Sequence, residues 1–168
     1  VASVSRGCKA ISESGGVTVI VENIGVTRAP VFKTKSISDA LRIKKWLEKN
    51  FQQISKICES TSSHLILLKI EPSFVGRSLF LRFLFDSQNA MGMNMATIAT
   101  QKAVEYIEKE TGAQCLSVSG NYDVDKKPAW INFISGRGKK VWAEADIKKE
   151  IVEEVLKTTP EKITDLVY

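Results

Sequence analysis

"HLILLKIEPSFVGRSLFLRFLF", residues 64–85, holds two apolar runs of strand length, His64–Ile70 and Ser78–Phe85, on either side of "EPSFVGR", a stretch with hairpin-type turn residues. Short runs rich in Leu, Ile and Phe and punctuated by Pro and Gly read as two adjacent strands. What flanks the pair decides the architecture. Before it, Ala40, Ile43, Leu47, Phe51, Ile54 and Cys58 recur at spacings of three and four. Ser36 and Asp39 stand ahead of them in the pattern of a helix N-terminus, and an interruption is expected near Asn50. After it, Ala96, Ala99, Ala103 and Ile107 form a second helical stripe, and Gly112 is placed to stop it.

Working outward again, a short strand is expected from Val31 to about Lys35 and another at "CLSVS", residues 115–119. The order is then strand, helix, strand, strand, helix, strand. This βαββαβ order is the signature of a ferredoxin-like split sandwich, so the predicted fold class is α+β. The flanks do not continue the pattern. "GCKAISESGG" reads as a helix end stopped by Gly15 and Gly16, and "VTVIVE" as a strand. "AWINFIS" alternates, "GRGKK" turns, "VWAEA" reads as a strand, and Asp146 is the expected cap of a helix with Ile147, Ile151 and Val155 on one face. Thr158 and Glu161, with Pro160 at a first-turn position, start a further helix. The expected organisation is an inserted small domain, residues 31–118, between segments 1–30 and 119–168 of a second domain.

With 168 residues and 43% hydrophobic content, the chain has room for a core of ordinary size in one or at most two domains. No apolar run approaches the roughly 20 residues that cross a bilayer, and the first residues lack a secretory layout, so a soluble cytoplasmic protein is expected. Cys8, Cys58 and Cys115 are odd in number and far apart, which fits neither a disulfide framework nor a zinc pattern. The net charge of +5 admits nucleic acid, a membrane surface or an anionic ligand such as a nucleotide. Its lysines are scattered as pairs, which argues against a basic tail. The start at Val1 without Met, and an apolar pattern still running in "ITDLVY", suggest a piece of a longer polypeptide.

Three stretches could carry chemistry. "NAMGMNM", residues 89–95, stands where the second helix begins. Flexible methionines can fill a core there, or flank a site where the free N–H groups of the helix start attract phosphate and Gly92 allows close approach. Arg28 in "GVTRAP" is either solvated or a fixed guanidinium for a carboxylate or phosphate. Asp125, Lys126 and Lys127 are either a charged turn or a partly dry site. In the second case a lysine beside a carboxylate stays charged and can stabilise or protonate an oxyanion. His64 is the only histidine, and no second His or close Cys pair gives it metal-site spacing. GxSxG, P-loop and GxGxxG patterns are absent. The alternative of a ferredoxin-like nucleotide- or RNA-binding module without catalysis lacks the usual signs for RNA. "CLSVS" has no aromatic to stack a base, and "SLFLRFLF" lacks the glycine-aromatic pattern of an RNA-recognition strand.

"VASVSRGCKAI", "GVTRAPV", "STSSHL", "GRSLFLRF", "NAMGMNM", "SVSGNYDVDKKPAWINFISGRGKKVWAEA" and "EVLKTT", taken in this order, resemble the class I hydroxymethylglutaryl-coenzyme A reductases over essentially the whole chain. The resemblance implies reduction of hydroxymethylglutaryl-coenzyme A to mevalonate with NADPH, through a thiohemiacetal and then an aldehyde. It also implies a small ferredoxin-like NADP-binding domain inserted in a larger substrate domain, and a dimer-based oligomer with shared active sites. By this resemblance Lys126 is the catalytic lysine that stabilises the oxyanion, with Asp125 its partner. Arg28, Ser119, Asn121, Asp125 and Lys127 line the hydroxymethylglutaryl pocket. Ser3, Arg6, Lys9 and Lys157 meet coenzyme A. Ser62, Ser63, His64, Asn89, Met91, Gly92, Met93, Asn94 and Met95 hold the dinucleotide.

The sequence departs from the family pattern in places. Ser63 stands where many members carry an arginine that can meet the extra phosphate of NADP, and Asn89 where aspartate is more common. Ser5 and Lys9 replace an Asn and an Arg. The resemblance puts the family's catalytic glutamate before Val1 and its catalytic aspartate and histidine after Tyr168. Negligible reductase activity is therefore expected of the chain alone.

Overall fold

The computed structural model describes residues 2–167, with side chains from residue 4 onward. Two compact units emerge, one of residues 23–140 and one joining 1–22 to 141–168.

In the larger unit, the hairpin that opened the sequence reading is tighter than its turn residues predict. Strand β3 (Ile66–Val75) takes in "EPSFV", and only Gly76 and Arg77 separate it from β4 (Ser78–Asp86). Two residues suffice because Gly76 adopts a φ of +59°, as short hairpin loops require. Pro72 fits inside β3 because this strand pairs with β4 alone, so the missing N–H breaks no ladder on the outer side. A bulge between Leu67 and Lys69 interrupts the register.

The other edge of β4 is shared. β1 (Thr18–Arg28) pairs with it at Val26–Phe85, Thr27–Leu84 and Arg28–Phe83, and β2 (Val31–Lys33) at Val31–Phe80 through Lys33–Ser78. Ala29 and Pro30, both buried, form the joint between them. β5 (Gln114–Ser117) lies antiparallel to β2. The sheet is six-stranded in the order β5-β2-β4-β1-β6, with β3 also on β4 and β6 spanning Gly138–Glu144.

Helix α2 (Ile37–Glu59) starts as its sequence foretells: the Asp39 amide donates to Ser36 Oγ at 3.1 Å. It runs through Asn50 without a break, because the Asn50 amide donates to the Trp46 carbonyl four residues back instead of competing for the helix. Helix α3 (Met93–Thr111) ends at Gly112 in the left-handed region. The stripes from both helices meet one face of the sheet in a single core with Phe32, Leu79, Leu81, Phe83 and Phe85. Each of the Leu, Ile and Phe side chains there contributes about 1.5–3 kcal/mol on burial. Arg82 interrupts that apolar run and is itself buried, its Nη1 donating to Glu71 on β3 at 3.0 Å.

Beyond β5 the expectations need correction. "AWINFIS" alternates like a strand but forms a short helix, α4 (Trp130–Ser135). The indole of Trp130 and ring of Phe133, three residues apart, stack at 5.1 Å on one helical face, where strand geometry would separate them. In the smaller unit, α1 (Ala2–Glu13) packs on a π-helical turn, Val152–Leu156, that continues α5 (Lys149–Ile151). Ala10, Val152 and Val155 are buried there. Lys148, not Asp146, occupies the cap position of α5. Helix α6 (Pro160–Val167) begins with Pro160, and Thr159, not Thr158, accepts from the Lys162 amide.

Candidate functional site

The chain leaving β5 keeps to the edge it has just paired with. After the last rung, Val31–Ser117, the Gly120 amide donates to the Ala29 carbonyl at 2.8 Å. The next rung is supplied by a side chain: Asp125 Oδ2 accepts from the Thr27 amide at 2.7 Å, and its Oδ1 from the Thr27 hydroxyl. A buried backbone N–H needs such a partner where no strand continues. Asp125 is only 4% exposed, while Lys126 and Lys127 beside it are open to solvent. The loop is pinned again from below. The Asn132 amide donates to the carbonyls of both Val124 and Lys127, at 2.8 and 2.9 Å. Its Oδ1 is buried without a partner.

Arg28 lies one residue from the Asp125 clamp and is held by two partners. It forms a part-buried ion pair with Asp123 at 3.0 Å, and its Nε donates to Thr97 Oγ1 on α3 at 2.8 Å. Thr97 in turn donates to the Met93 carbonyl at 2.8 Å. Ser119 Oγ donates to the same Asp123 oxygen that Arg28 meets, at 2.8 Å.

The start of α3 comes close to the lysine loop. A cleft of about 800 Å³ is lined by Asp125, Lys126 and Asn132 together with Ser87, Met91 and Met93. Its volume is in the range of a site for a sizeable organic ligand. Gly92 takes φ +73° at the α3 N-cap position, and no side chain caps the helix there. The first-turn N–H groups therefore lack a protein side-chain partner and suit an anionic group. A second predicted motif reaches the same turn: Ser62 Oγ lies 3.4 Å from Met95 Sδ and also accepts from the His64 amide. His64 and Ser63 are exposed, as are Asn89 and Asn94. An uncapped helix start flanked by exposed polar side chains suits an anionic group such as the phosphate of a dinucleotide.

Not every expected partnership forms. Among the described residues no ion pair joins Lys126 to Asp125, whose oxygens serve Thr27 instead. Asn121 is exposed and outside the Asp123 network. Arg6, Lys9 and Lys157 are exposed in the smaller unit, Lys9 paired with Glu13 at 3.6 Å and Lys157 at a φ of +58°. The side chain of Ser3 lies outside the described residues. Burial pushes the Cys58 thiol up to about 12, and Cys8 is exposed. Among the described residues no His, Cys, Asp and Glu cluster could hold a metal, and no helix is long and apolar enough to cross a membrane.

Sequence reading missed Thr27, Thr97, Asp123, Asn132 and Arg137 as members of the site. Arg137 and Lys139 line the cleft from "GRGKK", where Gly136 and Gly138 both take positive φ. Two glycines around a cation were the available signal there. For Thr27 it was its place next to Arg28.

The hydroxymethylglutaryl-coenzyme A reductase family profile matches residues 1–168. The 3-hydroxy-3-methylglutaryl-coenzyme A reductase of Methanothermobacter thermautotrophicus is 46% identical over 99% of this chain and 42% of its own length. That of Methanocaldococcus jannaschii is 47% identical over 99% of this chain and 42% of its own. The chain thus spans about two fifths of these relatives. Among solved structures, a class II 3-hydroxy-3-methylglutaryl-CoA reductase from Streptococcus pneumoniae bound to NADPH in open conformations aligns with 90% of this chain and 39% of its own, at TM-score 0.67 and 16% identity. At that identity it shows the fold alone. Matched along its whole length by the family profile, and nearly so by relatives of almost half its sequence, the chain belongs to the hydroxymethylglutaryl-coenzyme A reductase family.

Proposed function

We propose that this chain is the cofactor-binding part, with adjoining substrate-binding segments, of a class I reductase. That enzyme converts hydroxymethylglutaryl-coenzyme A to mevalonate with NADPH, on the route to isoprenoids. One observation carries the reading: a single cleft brings Asp125 and Lys126 together with Met91 and Met93 at the uncapped start of α3. Residues 31–118 are then the ferredoxin-like NADP-binding domain, supported by the strand order β5-β2-β4-β3 around two helices on one face. Residues 1–30 and 119–168 belong to the substrate-binding domain. The complete enzyme is a dimer-based cytoplasmic oligomer.

Ser62, Ser63, His64 and the stretch Asn89 to Met95 hold the dinucleotide, with phosphate near the first-turn N–H groups of α3. When bound, NADPH supplies hydride. The backbone on either side of Lys126 is held by the clamped Asp125 and by the Asn132 amide on the Lys127 carbonyl, and the exposed Lys126 side chain supplies a cation where the thioester oxygen gains negative charge. Arg28, Ser119, Asn121, Asp125 and Lys127 bind the hydroxymethylglutaryl group. Ser3, Arg6, Lys9 and Lys157 bind coenzyme A.

The test pairs binding with turnover. The chain should bind NADPH in the micromolar range, read by Trp fluorescence. In the full polypeptide that the gene encodes, Lys126→Ala should lower kcat by about 10²–10³-fold with NADPH affinity little changed. Retained turnover in that variant, or no NADPH binding by the chain at millimolar concentration, would overturn the proposal.

A further inference from the structure

Asp123 has no role in the reading above, yet its carboxylate accepts as many hydrogen bonds as that of Asp125. Only 6% exposed, it accepts from Arg28 Nη1 at 3.0 Å and from Ser119 Oγ at 2.8 Å on one oxygen, Oδ2. These are two of the groups proposed to bind the acyl part of the substrate. Its own amide closes a turn onto the Gly120 carbonyl at 2.9 Å, which fixes the backbone that carries the carboxylate. Arg28 then extends the chain of bonds: Nε to Thr97 Oγ1 at 2.8 Å, and Thr97 Oγ1 to the Met93 carbonyl at 2.8 Å. Met93 is the first residue of α3, next to Gly92.

We propose that Asp123 is a positioning residue: it fixes Arg28 and Ser119 for the substrate and, through Arg28 and Thr97, ties the substrate side of the pocket to the first turn of the cofactor helix. The proposal rests on the reductase reading. The physics is that of a charged hydrogen-bond network in a part-buried setting. An arginine left without its carboxylate there must find another partner, and the cost of its reorientation falls on substrate binding. Two positions without direct contact, Asp123 and Thr97, become energetically dependent because both restrain one guanidinium.

The experiment uses the full polypeptide encoded by the gene, with steady-state KM for hydroxymethylglutaryl-coenzyme A and for NADPH, and kcat, measured for wild type, Asp123→Ala, Asp123→Asn, Thr97→Val and the double variant Asp123→Ala/Thr97→Val. Asp123→Ala should raise the thioester KM about tenfold or more, with a smaller change in the NADPH KM. Asp123→Asn keeps an acceptor oxygen and should recover most of that loss. It also serves where the alanine variant folds poorly, as judged from its thermal midpoint. The double variant should fall short of the product of the single effects by at least about threefold. Wild-type protein without turnover would overturn the reductase reading and this proposal with it. Normal wild-type turnover with a thioester KM unchanged or lowered in Asp123→Ala, or with single effects that multiply, would overturn this proposal alone, a lowered KM meaning that Asp123 competes with the substrate.

Discussion

Replacing Gly92 by alanine adds one methyl group at a position where both backbone and space resist it. Gly92 sits at φ +73°, ψ 3°. An L-residue there costs about 1–2 kcal/mol from the contact between Cβ and the following carbonyl. The added Cβ would also lie 2.3 Å from Ser87 Cβ and 2.8 Å from Ser87 Oγ. Ser87 cannot step aside cheaply, since it is 7% exposed and its hydroxyl donates to the Ala90 carbonyl at 2.7 Å. Overpacking of this kind typically costs about 1–3 kcal/mol. Gly92→Ala should therefore destabilise the fold by about 2–5 kcal/mol, a large share of the 5–15 kcal/mol of a typical domain. At about 3 °C per kcal/mol for a chain this size, the thermal midpoint should fall by about 6–15 °C. Urea unfolding followed by circular dichroism gives the free energy. The steric share can be isolated with Ser87→Gly, which removes both clashing atoms at its own cost of about 1–2 kcal/mol for the lost hydroxyl bond and the freer backbone. The double variant should then be more stable than the sum of the single losses by about 1–3 kcal/mol, leaving the left-handed strain in place. Additive losses, or a Gly92→Ala loss below about 0.5 kcal/mol, would refute the reasoning.

Two further outcomes can be checked on the same chain. Thr27→Val keeps the shape and strand propensity but withdraws the hydroxyl from the buried Asp125 carboxylate, leaving only the amide bond of 2.7 Å. It should cost about 1.5–3 kcal/mol in urea unfolding, and a neutral result would mean the hydroxyl is not needed. Cys58, held up to about 12 by burial, should resist thiol reagents at pH 8 in the native state, while the exposed Cys8 reacts. Its pKa is raised in the folded state, so its contribution is complete below the ordinary thiol value of 9.0 and is lost as pH climbs from there towards about 12. A Cys58→Ala variant should show a shallower loss of stability over that window than wild type, and identical slopes would contradict the assignment.

The hairpin and the two amphipathic helices were legible because their signals are local. Ser36 and Asp39 set the start of α2, apolar positions three and four apart set its buried face, and Gly112 stops α3. Where reading failed, a contact distant in sequence outweighed the local pattern. The alternation in "AWINFIS" is real, but the Asn132 side chain within it is committed to the Val124 and Lys127 carbonyls, and a helical turn is the geometry that lets it reach both. Asn50 looked like a breaker and is not one, because its amide satisfies itself on its own helix. The same division holds in the site. Lys126, Gly92 and Ser62 announce themselves through motifs, whereas Thr27 meets Asp125 across 98 positions and Arg28 meets Asp123 across 95. No periodicity carries such information.

Strand β3 has a consequence for life before and after assembly. It exposes Ile66, Leu68, Phe74 and Val75 beside an unpaired edge, a composition that invites a neighbouring molecule to add a strand and begin an aggregate. Pro72 withholds a donor in the middle of that edge, the bulge at Leu67–Lys69 breaks the even spacing an incoming strand would need, and Lys69 adds a charge. A nascent chain that has just emerged with its hairpin formed thus offers a greasy border with no template for recruitment. The same Pro72 and Leu67–Lys69 bulge that make the hairpin irregular work against strand addition at its border.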